Sequence, residues 1–149
     1  MDILPDKYRH QRLYPVGRLD KDSTGLLLLM NDGELTHKLT HPRFEREKEY
    51  PVSINARLQP AEKRELERGI KLEDGLTQPA VIREGEAPPF NYSLTIHEGR
   101  KRQVRRMFDS LGHHVQALKR IRMGSLSLGN LQEGEMRELS AQEVKALLK

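Results

Sequence analysis

The sequence predicts an α+β fold built around a mostly antiparallel mixed sheet that is flanked by helices. Several short strand-like segments are joined by loops of hairpin length, with helical segments placed irregularly between them. The chain shows no regular alternation of strand, helix and strand, so a doubly wound parallel sheet is not expected. Its 149 residues, 36% hydrophobic and 32% charged, are enough for one domain with a single core.

Two strands and a short helix are predicted in the first part of the chain. Residues 14–19 and 26–30 are expected to be strands on either side of a polar turn, and the second is an apolar run that ends at turn-forming residues. Residues 33–39 follow as a helix that Asn31 or Asp32 caps. The polar turn between the two strands holds most of the candidate chemistry.

Three strands and one helix are predicted in the middle of the chain. Residues 49–54 alternate between apolar and polar side chains, which is typical of a half-buried strand. Residues 60–69 form a charged helix that begins at a proline and ends at a glycine. Residues 79–83 and 92–97 are strand-like runs, and the loop between them is rich in glycine and proline.

The clearest predicted helix covers residues 100–111. Four of its apolar side chains recur at helical spacing and form one continuous stripe: Val104, Met107, Phe108 and Leu111. A glycine follows and is expected to end the helix. Further strands are expected at residues 115–118, 121–128 and 136–139, before a last helix that Ser140 caps.

Composition excludes several classes of protein. The chain has no cysteine, which rules out disulfides, thiolate metal sites and a cysteine nucleophile and suits a cytoplasmic protein. No apolar run is long enough to cross a bilayer, so no membrane partner is expected. The six histidines show no spacing typical of zinc enzymes, so no zinc site is expected, and no phosphate-binding loop occurs.

Positive charge is concentrated in one part of the chain. The net charge is +4, but the segment between His97 and Gly124 holds eight basic and two acidic residues, a net +6 that leaves −2 for the rest. The eight are Arg100, Lys101, Arg102, Arg105, Arg106, Lys119, Arg120 and Arg122. Such a cluster is typical of a phosphate-rich partner. The alternative is a solvated surface whose counter-charges lie nearby in the fold.

Asp20 is the first candidate for chemistry. It directly precedes the polar turn that leads into the apolar run of residues 26–30. A carboxylate in that position would be partly desolvated and would need a cation or hydrogen-bond donors to remain ionised. Many aspartates in turns only cap backbone groups, so position alone leaves both interpretations open.

Helical geometry suggests a partner for Asp20. With Val104 at the centre of the apolar stripe and about 100° per residue, Arg105 lies at the edge of the stripe, whereas Arg102 and Arg106 point away. An edge arginine can bury its stem and direct its guanidinium to a partly dry carboxylate. Arg105 is therefore the predicted partner of Asp20, and an arginine that merely covers the edge of the core is the alternative.

Four short motifs occur in the order known from one enzyme family. They are GRLD with GLL and NDG (residues 17–33), KEY (48–50), EGRKRQVRRM (98–107) and LKRIRMG (118–124). On these motifs the chain resembles the pseudouridine synthases, in particular the branch that modifies single uridines in ribosomal RNA. The resemblance extends from about residue 13 to residue 139.

The resemblance implies that residues 1–149 form a single catalytic domain that isomerises uridine to pseudouridine in ribosomal RNA without a cofactor. Asp20 would be the nucleophile or base at the ribose and would be ion-paired to Arg105, while Tyr50 would pack against the flipped base. Without the resemblance, Tyr50 would be an ordinary half-buried strand residue. The expected RNA contacts are Arg18, Lys48, Arg100, Arg102, Arg106, Lys119, Arg120 and Arg122.

Members of this family normally begin with a small S4-type RNA-binding domain and a first strand with a Lys-Pro-x-Gly string, and this sequence contains neither. The chain is therefore expected to be an N-terminally truncated catalytic domain without the S4 domain. Weaker RNA binding is one expected consequence. An exposed sheet edge that favours self-association is the other.

Two rival interpretations remain open at this stage. A non-catalytic RNA-binding fragment of the same fold would carry the same basic helix without turnover. A metal-dependent nuclease would use Asp20 and Asp22, because residues two apart in a loop can share a metal ion. No further acidic cluster with metal-binding spacing supports the nuclease.

Overall fold

The structure, a computed structural model, describes residues 12–41 and 46–148. The described residues contain eleven strands and four helices. The strands are β1 (Tyr14–Pro15), β2 (Thr24–Gly25), β3 (Leu29–Met30), β4 (Lys48–Ile54), β5 (Lys71–Leu72), β6 (Gly75–Leu76), β7 (Val81–Glu84), β8 (Tyr92–Ile96), β9 (Val115–Arg120), β10 (Arg122–Met123) and β11 (Leu126–Ser127). The helices are α1 (Gly33–Thr40), α2 (Pro60–Arg68), α3 (Gln103–Ser110) and α4 (Ala141–Leu147). The ends of the domain predicted for residues 1–149 lie outside the described ranges.

Strand β4 is the centre of the main sheet. It pairs antiparallel with β8 along one side, from Lys48 opposite Ile96 to Val52 opposite Tyr92. Along its other side it pairs with β9 and then with β10, both antiparallel. Strand β7 extends the sheet beyond β8, β11 pairs with β10, and β2 runs parallel to β9. The predicted α+β fold with a mostly antiparallel mixed sheet is confirmed.

The main core lies where α3 packs against this sheet. The predicted apolar stripe of α3 provides one wall, because Val104, Met107 and Phe108 are buried and Leu111 packs against them. Strand β8 provides the opposite wall, since its alternate side chains face inward. The largest fully buried side chains of this core are Tyr92, Phe108, Leu66, Leu94, Met107 and Val52. Burial of this stripe fixes the orientation of α3, and with it the direction of its arginines.

A second, smaller core holds the segment that carries Asp20. Val16, Leu26 and Leu28 are buried against Met123 of β10 and Leu147 of α4. The segment is thus held by apolar contacts on both sides of the polar turn. Among the described residues no helix is both long enough and apolar enough to cross a membrane.

The helix boundaries largely follow the predicted capping signals. Helix α1 is capped by Asp32, whose side chain accepts a hydrogen bond from Leu35 N at 3.1 Å. Helix α2 begins at Pro60 and ends before Gly69, and α4 has a capping box formed by Ser140 and Glu143.

Several predicted strands differ from the structure. Residues 26–30 do not form one strand, because the chain pairs with β9 at Gly25 and with β1 from Leu29 onward. Residues 121–128 form the hairpin β10–β11, since Gly124 adopts a φ of 58° that ends the first strand. Residues 136–139 contain no strand, and only Tyr14–Pro15 of the predicted strand 14–19 is one. The hairpin β5–β6 was not predicted.

Candidate active site

A cavity of about 190 Å³ opens between the turn at residues 20–23, strand β4 and the start of α3. This turn is called the Asp20 turn below. Asp20 and Tyr50, both half-buried, line it. Five of the basic residues predicted to contact RNA line it as well: Arg18, Lys48, Arg100, Arg102 and Arg120. A larger cavity of about 580 Å³ is lined mainly by leucines and contains none of the predicted site residues. The smaller cavity is therefore the candidate active site.

The Asp20 turn is closed by a hydrogen bond from Ser23 N to the Asp20 carbonyl at 2.9 Å. Beyond the turn, Leu26 N donates to the Arg120 carbonyl at 2.7 Å. Gly25 makes this approach possible, because its φ is 117° and a Cβ there would lie 2.2 Å from the Arg120 carbonyl oxygen. Gly25, the glycine of the GLL string in the first motif, is thus needed to bring the turn against β9.

Arg120 was predicted to contact RNA, but it is buried, with 2% of its surface exposed. Its Nε donates to the Leu26 carbonyl at 2.9 Å, and its Nη1 donates to the Arg18 carbonyl at 3.2 Å. These two carbonyls lie on either side of the Asp20 turn. The prediction of a surface RNA contact is therefore corrected. The side chains of β9 alternate between the two faces of the sheet, and that of Arg120 is on the buried face, where it holds both ends of the Asp20 turn.

Arg105 is buried at the edge of the apolar stripe, as helical geometry predicts, with 9% of its surface exposed. Its partner is Asp22 and not Asp20. Arg105 Nε lies 3.4 Å from Asp22 Oδ1, and Arg105 Nη2 donates to the Asp22 carbonyl at 2.8 Å. The predicted ion pair between Asp20 and Arg105 is therefore wrong for this structure. The reason is the direction of the turn, which presents Asp22 to α3 while Asp20 lines the cavity.

Arg102 also binds Asp22, through two hydrogen bonds of 2.9 and 3.0 Å. It precedes α3 with a φ of 51°, a left-handed conformation that is uncommon for a residue with a side chain. The helix consequently begins at Gln103, three residues later than predicted. Hydrogen bonding to Arg102 lowers the pKa of the Asp22 carboxyl and raises the pKa of the Arg102 guanidinium.

These contacts weigh against the nuclease interpretation. The Asp22 carboxylate, one of the two ligands it requires, is engaged by two arginines. In residues 12–41 and 46–148 no group of three or more histidine or acidic side chains could hold a metal ion.

Lys48 and Tyr50 lie two residues apart on β4 and therefore share a face of the strand. Tyr50 packs against the main core, so the body of its ring is held in place beside the cavity. A Cβ at Gly99 would lie 2.9 Å from Lys48 Nζ. The glycine of the EGR motif thus leaves room for the lysine of the KEY motif.

Glu98 and Gln103 are site residues that the sequence analysis missed. Glu98 is buried, and its Oε1 accepts hydrogen bonds from Gln78 N at 2.8 Å and from Gln103 Nε2 at 3.0 Å. Gln103 Oε1 accepts from Arg100 N at 3.1 Å, and Glu98 Oε2 lies 3.2 Å from Arg100 Nε. Together they fix the chain that enters α3. Their place inside the third motif was the available signal.

Counter-charges neutralise much of the predicted basic surface. Arg106 binds both oxygens of Asp74, at 3.0 and 3.1 Å, and Arg100 lies 3.3 Å from the same carboxylate. Hydrogen bonding to Arg106 lowers the pKa of the Asp74 carboxyl.

Two predicted RNA contacts are without a carboxylate partner among the described residues. Arg122 is not one of them, because Glu47 and Glu49, at 3.1 and 3.0 Å, compensate its positive charge. Arg18 is exposed and Lys119 half-exposed, and neither has an ion pair with another described residue. Fewer basic residues are therefore without a compensating carboxylate than the sequence predicted.

The model of the family "RNA pseudouridylate synthase" matches residues 2–110. The chain belongs to this family. The resemblance seen in the four motifs is thereby confirmed.

Curated relatives extend the similarity over almost the whole chain. The chain is 49% identical over 142 residues to "Ribosomal large subunit pseudouridine synthase B" of Bacillus subtilis, which covers 92% of this chain and 58% of that protein. It is 39% identical over 140 residues to "Ribosomal small subunit pseudouridine synthase A" of Escherichia coli, and this alignment covers 92% of this chain and 60% of that protein. The chain thus spans less than two thirds of the length of these relatives.

A solved structure, "Crystal structure of pseudouridylate synthase", superposes with a TM-score of 0.88 at 36% sequence identity, over 98% of this chain and 64% of that one. An archaeal box H/ACA sRNP Nop10–Cbf5 complex shares the fold, with a TM-score of 0.54 at 18% identity.

Proposed function

We propose that this chain isomerises uridine to pseudouridine in ribosomal RNA, with Asp20 as the catalytic carboxylate. The observation that carries the proposal is the cavity that Asp20 and Tyr50 line together, in a chain that belongs to the RNA pseudouridylate synthases. The names of the relatives support ribosomal RNA as the substrate class.

The reaction breaks the N1–C1′ bond, turns the uracil and forms a C5–C1′ bond. C5 loses its proton and N1 gains one, so no group is oxidised and no atom enters from a cofactor. In one route Asp20 attacks C1′ as N1 leaves, and C5 later displaces the carboxylate. In the other route Asp20 removes the C2′ proton as the uracil leaves and returns it afterwards. Both routes require an ionised Asp20.

Access to C1′ and C5 requires the target uridine to leave its stack. Tyr50 borders the cavity and would pack against the extruded base, where its hydroxyl would assist the loss of the C5 proton. Its ring is held by the core on one side, so the base would meet a rigid apolar surface.

RNA phosphates would be bound by basic residues in and beside the cavity. Arg18 and Lys48 line the cavity, and Lys119 lies between Leu118 and Arg120, which also line it. Of these, Arg18 and Lys119 form no ion pair with another described residue. The ion pairs of Arg106 and Arg122 are partly exposed to solvent and therefore weak, so phosphates can replace their carboxylates at little cost.

The test is to incubate the chain with unmodified ribosomal RNA transcripts and to map pseudouridine by mass spectrometry. Pseudouridine has the mass of uridine, so the RNA is first derivatised with a reagent that labels only pseudouridine. We expect a single modified position with the wild-type chain and none with Asp20→Asn. RNA binding without any pseudouridine would instead support the non-catalytic RNA-binding fragment.

A further inference from the structure

Asp22 connects the Asp20 turn to helix α3, and the proposed mechanism assigns it no part. Its carboxylate receives two hydrogen bonds from Arg102 and lies 3.4 Å from Arg105 Nε. Its carbonyl accepts a third hydrogen bond, of 2.8 Å, from Arg105 Nη2. Both the side chain and the main chain of Asp22 are thus held by Arg102, which directly precedes α3, and by Arg105, which lies in α3.

Because Arg105 is buried, its positive charge depends on the Asp22 carboxylate for compensation. Its guanidinium is enclosed, and Asp22 is the only acidic side chain among the described residues with which it forms an ion pair. Its other partners, the Asp22 and Val115 carbonyls, are neutral. Arg105 Nε has no hydrogen bond of its own and faces the Asp22 carboxylate. Loss of the carboxylate would leave a buried cation without a counter-charge.

Asp22 does not line the cavity, whereas Asp20 and Ser23 do. The hydrogen bond from Ser23 N to the Asp20 carbonyl makes the turn one compact unit, so a shift of Asp22 would move Asp20 as well. We propose that Asp22 is a positioning residue, which clamps the turn to α3 through Arg102 and Arg105 and so holds the Asp20 carboxylate toward the ribose. This proposal rests on the proposed function.

The chain contains a matched control for this clamp. Asp74, in the turn of the β5–β6 hairpin, accepts hydrogen bonds from Nη1 and Nη2 of Arg106 and lies 3.3 Å from Arg100 Nη1. Its side chain is 48% exposed and that of Asp22 is 49% exposed. The two carboxylates are alike in exposure and in their paired hydrogen bonds to one arginine, but only Asp22 belongs to the Asp20 turn and holds the buried Arg105.

The experiment measures the single-turnover rate of pseudouridine formation at saturating ribosomal RNA for the wild type, Asp22→Asn, Asp22→Glu and Asp74→Asn. We expect Asp22→Asn to lower the rate by about tenfold to a hundredfold, because a displacement near 1 Å at the reacting carboxylate has that effect. Its Kd for RNA should stay within about threefold of wild type. Asp74→Asn should leave the rate within about twofold of wild type.

Asp22→Glu keeps the charge on a longer side chain, so its rate should lie between those of Asp22→Asn and the wild type. If Asp22→Asn does not fold, Asp22→Glu provides the test, and a rate equal to wild type overturns the proposal. Equal losses of rate for Asp22→Asn and Asp74→Asn would also overturn it, because the effect would then be a general one on folding. A wild-type chain that forms no pseudouridine refutes the proposed function itself. A wild-type rate for Asp22→Asn refutes only the role of Asp22.

Discussion

Replacement of Gly25 by alanine is predicted to detach the Asp20 turn from β9. The new Cβ would lie 2.2 Å from the Arg120 carbonyl oxygen and 2.4 Å from the Arg120 nitrogen. Both are backbone atoms of a central strand, so the turn must move and β9 cannot. The left-handed φ of 117° is unfavourable for alanine in any case.

The cost follows from the contacts that depend on this approach. The hydrogen bonds between Leu26 N and the Arg120 carbonyl, at 2.7 Å, and between Arg120 Nε and the Leu26 carbonyl, at 2.9 Å, would both be lost. At about 1 kcal/mol each, they amount to about 2 kcal/mol. The positive φ adds about 1–2 kcal/mol. A total of about 3–4 kcal/mol should lower the Tm by about 10 °C for a chain of this size.

Thermal unfolding followed by circular dichroism measures this effect, and Gly129→Ala is the matched control. Gly129 also has a left-handed φ, of 60°, but nothing lies within 4 Å of a Cβ placed there. Its substitution should therefore cost only the backbone strain, about 1 kcal/mol or about 3 °C. Equal Tm values for the two variants would refute the argument, because the close approach to Arg120 would then contribute nothing.

Three further predictions concern the core, the RNA contacts and the effect of pH. Phe108→Ala should destabilise the fold by about 3–5 kcal/mol in urea unfolding, because Phe108 is fully buried, and a loss below about 1 kcal/mol would contradict the packing described. Arg18→Ala and Lys119→Ala should each reduce the slope of log K for RNA against log salt by about 1, and an unchanged slope would exclude a phosphate contact. Hydrogen bonding to Arg137 lowers the pKa of Glu143 from 4.5 to about 2. The stability that ionised Glu143 contributes is present above the ordinary pKa of a glutamate and is lost as the pH falls through the lowered pKa of Glu143. The Tm difference between wild type and Glu143→Gln should therefore shrink as the pH falls from about 4.5 to about 2, and a constant difference would contradict it.

Features that depend on local sequence were predicted well. The apolar stripe of α3, the caps of α1 and α4 and the start of α2 all follow from residues within one or two helical turns. The same geometry correctly predicted that Arg105 is buried at the edge of the stripe. The four motifs also indicated the family, because their order along the chain is far more specific than any one of them.

Features that depend on distant segments were not predicted. Helical periodicity gives the direction of Arg105, but only the conformation of the facing turn decides whether Asp20 or Asp22 meets it. The left-handed conformation of Arg102, which delays the start of α3, has no counterpart in residue propensities. Asp74, which is far from the basic cluster in sequence, compensates the charges of Arg100 and Arg106. Charge counts along a chain cannot reveal such partners.

The most direct test of the central claim is tritium release from ribosomal RNA whose uridines are tritiated at C5. The reaction replaces the C5–H bond by C5–C1′, so each turnover releases one tritium atom to water. The wild-type chain should release tritium, and Asp20→Asn, which keeps the size of the side chain but removes its charge, should release none while its RNA affinity is retained. Release by Asp20→Asn at a rate near that of the wild type would contradict the account.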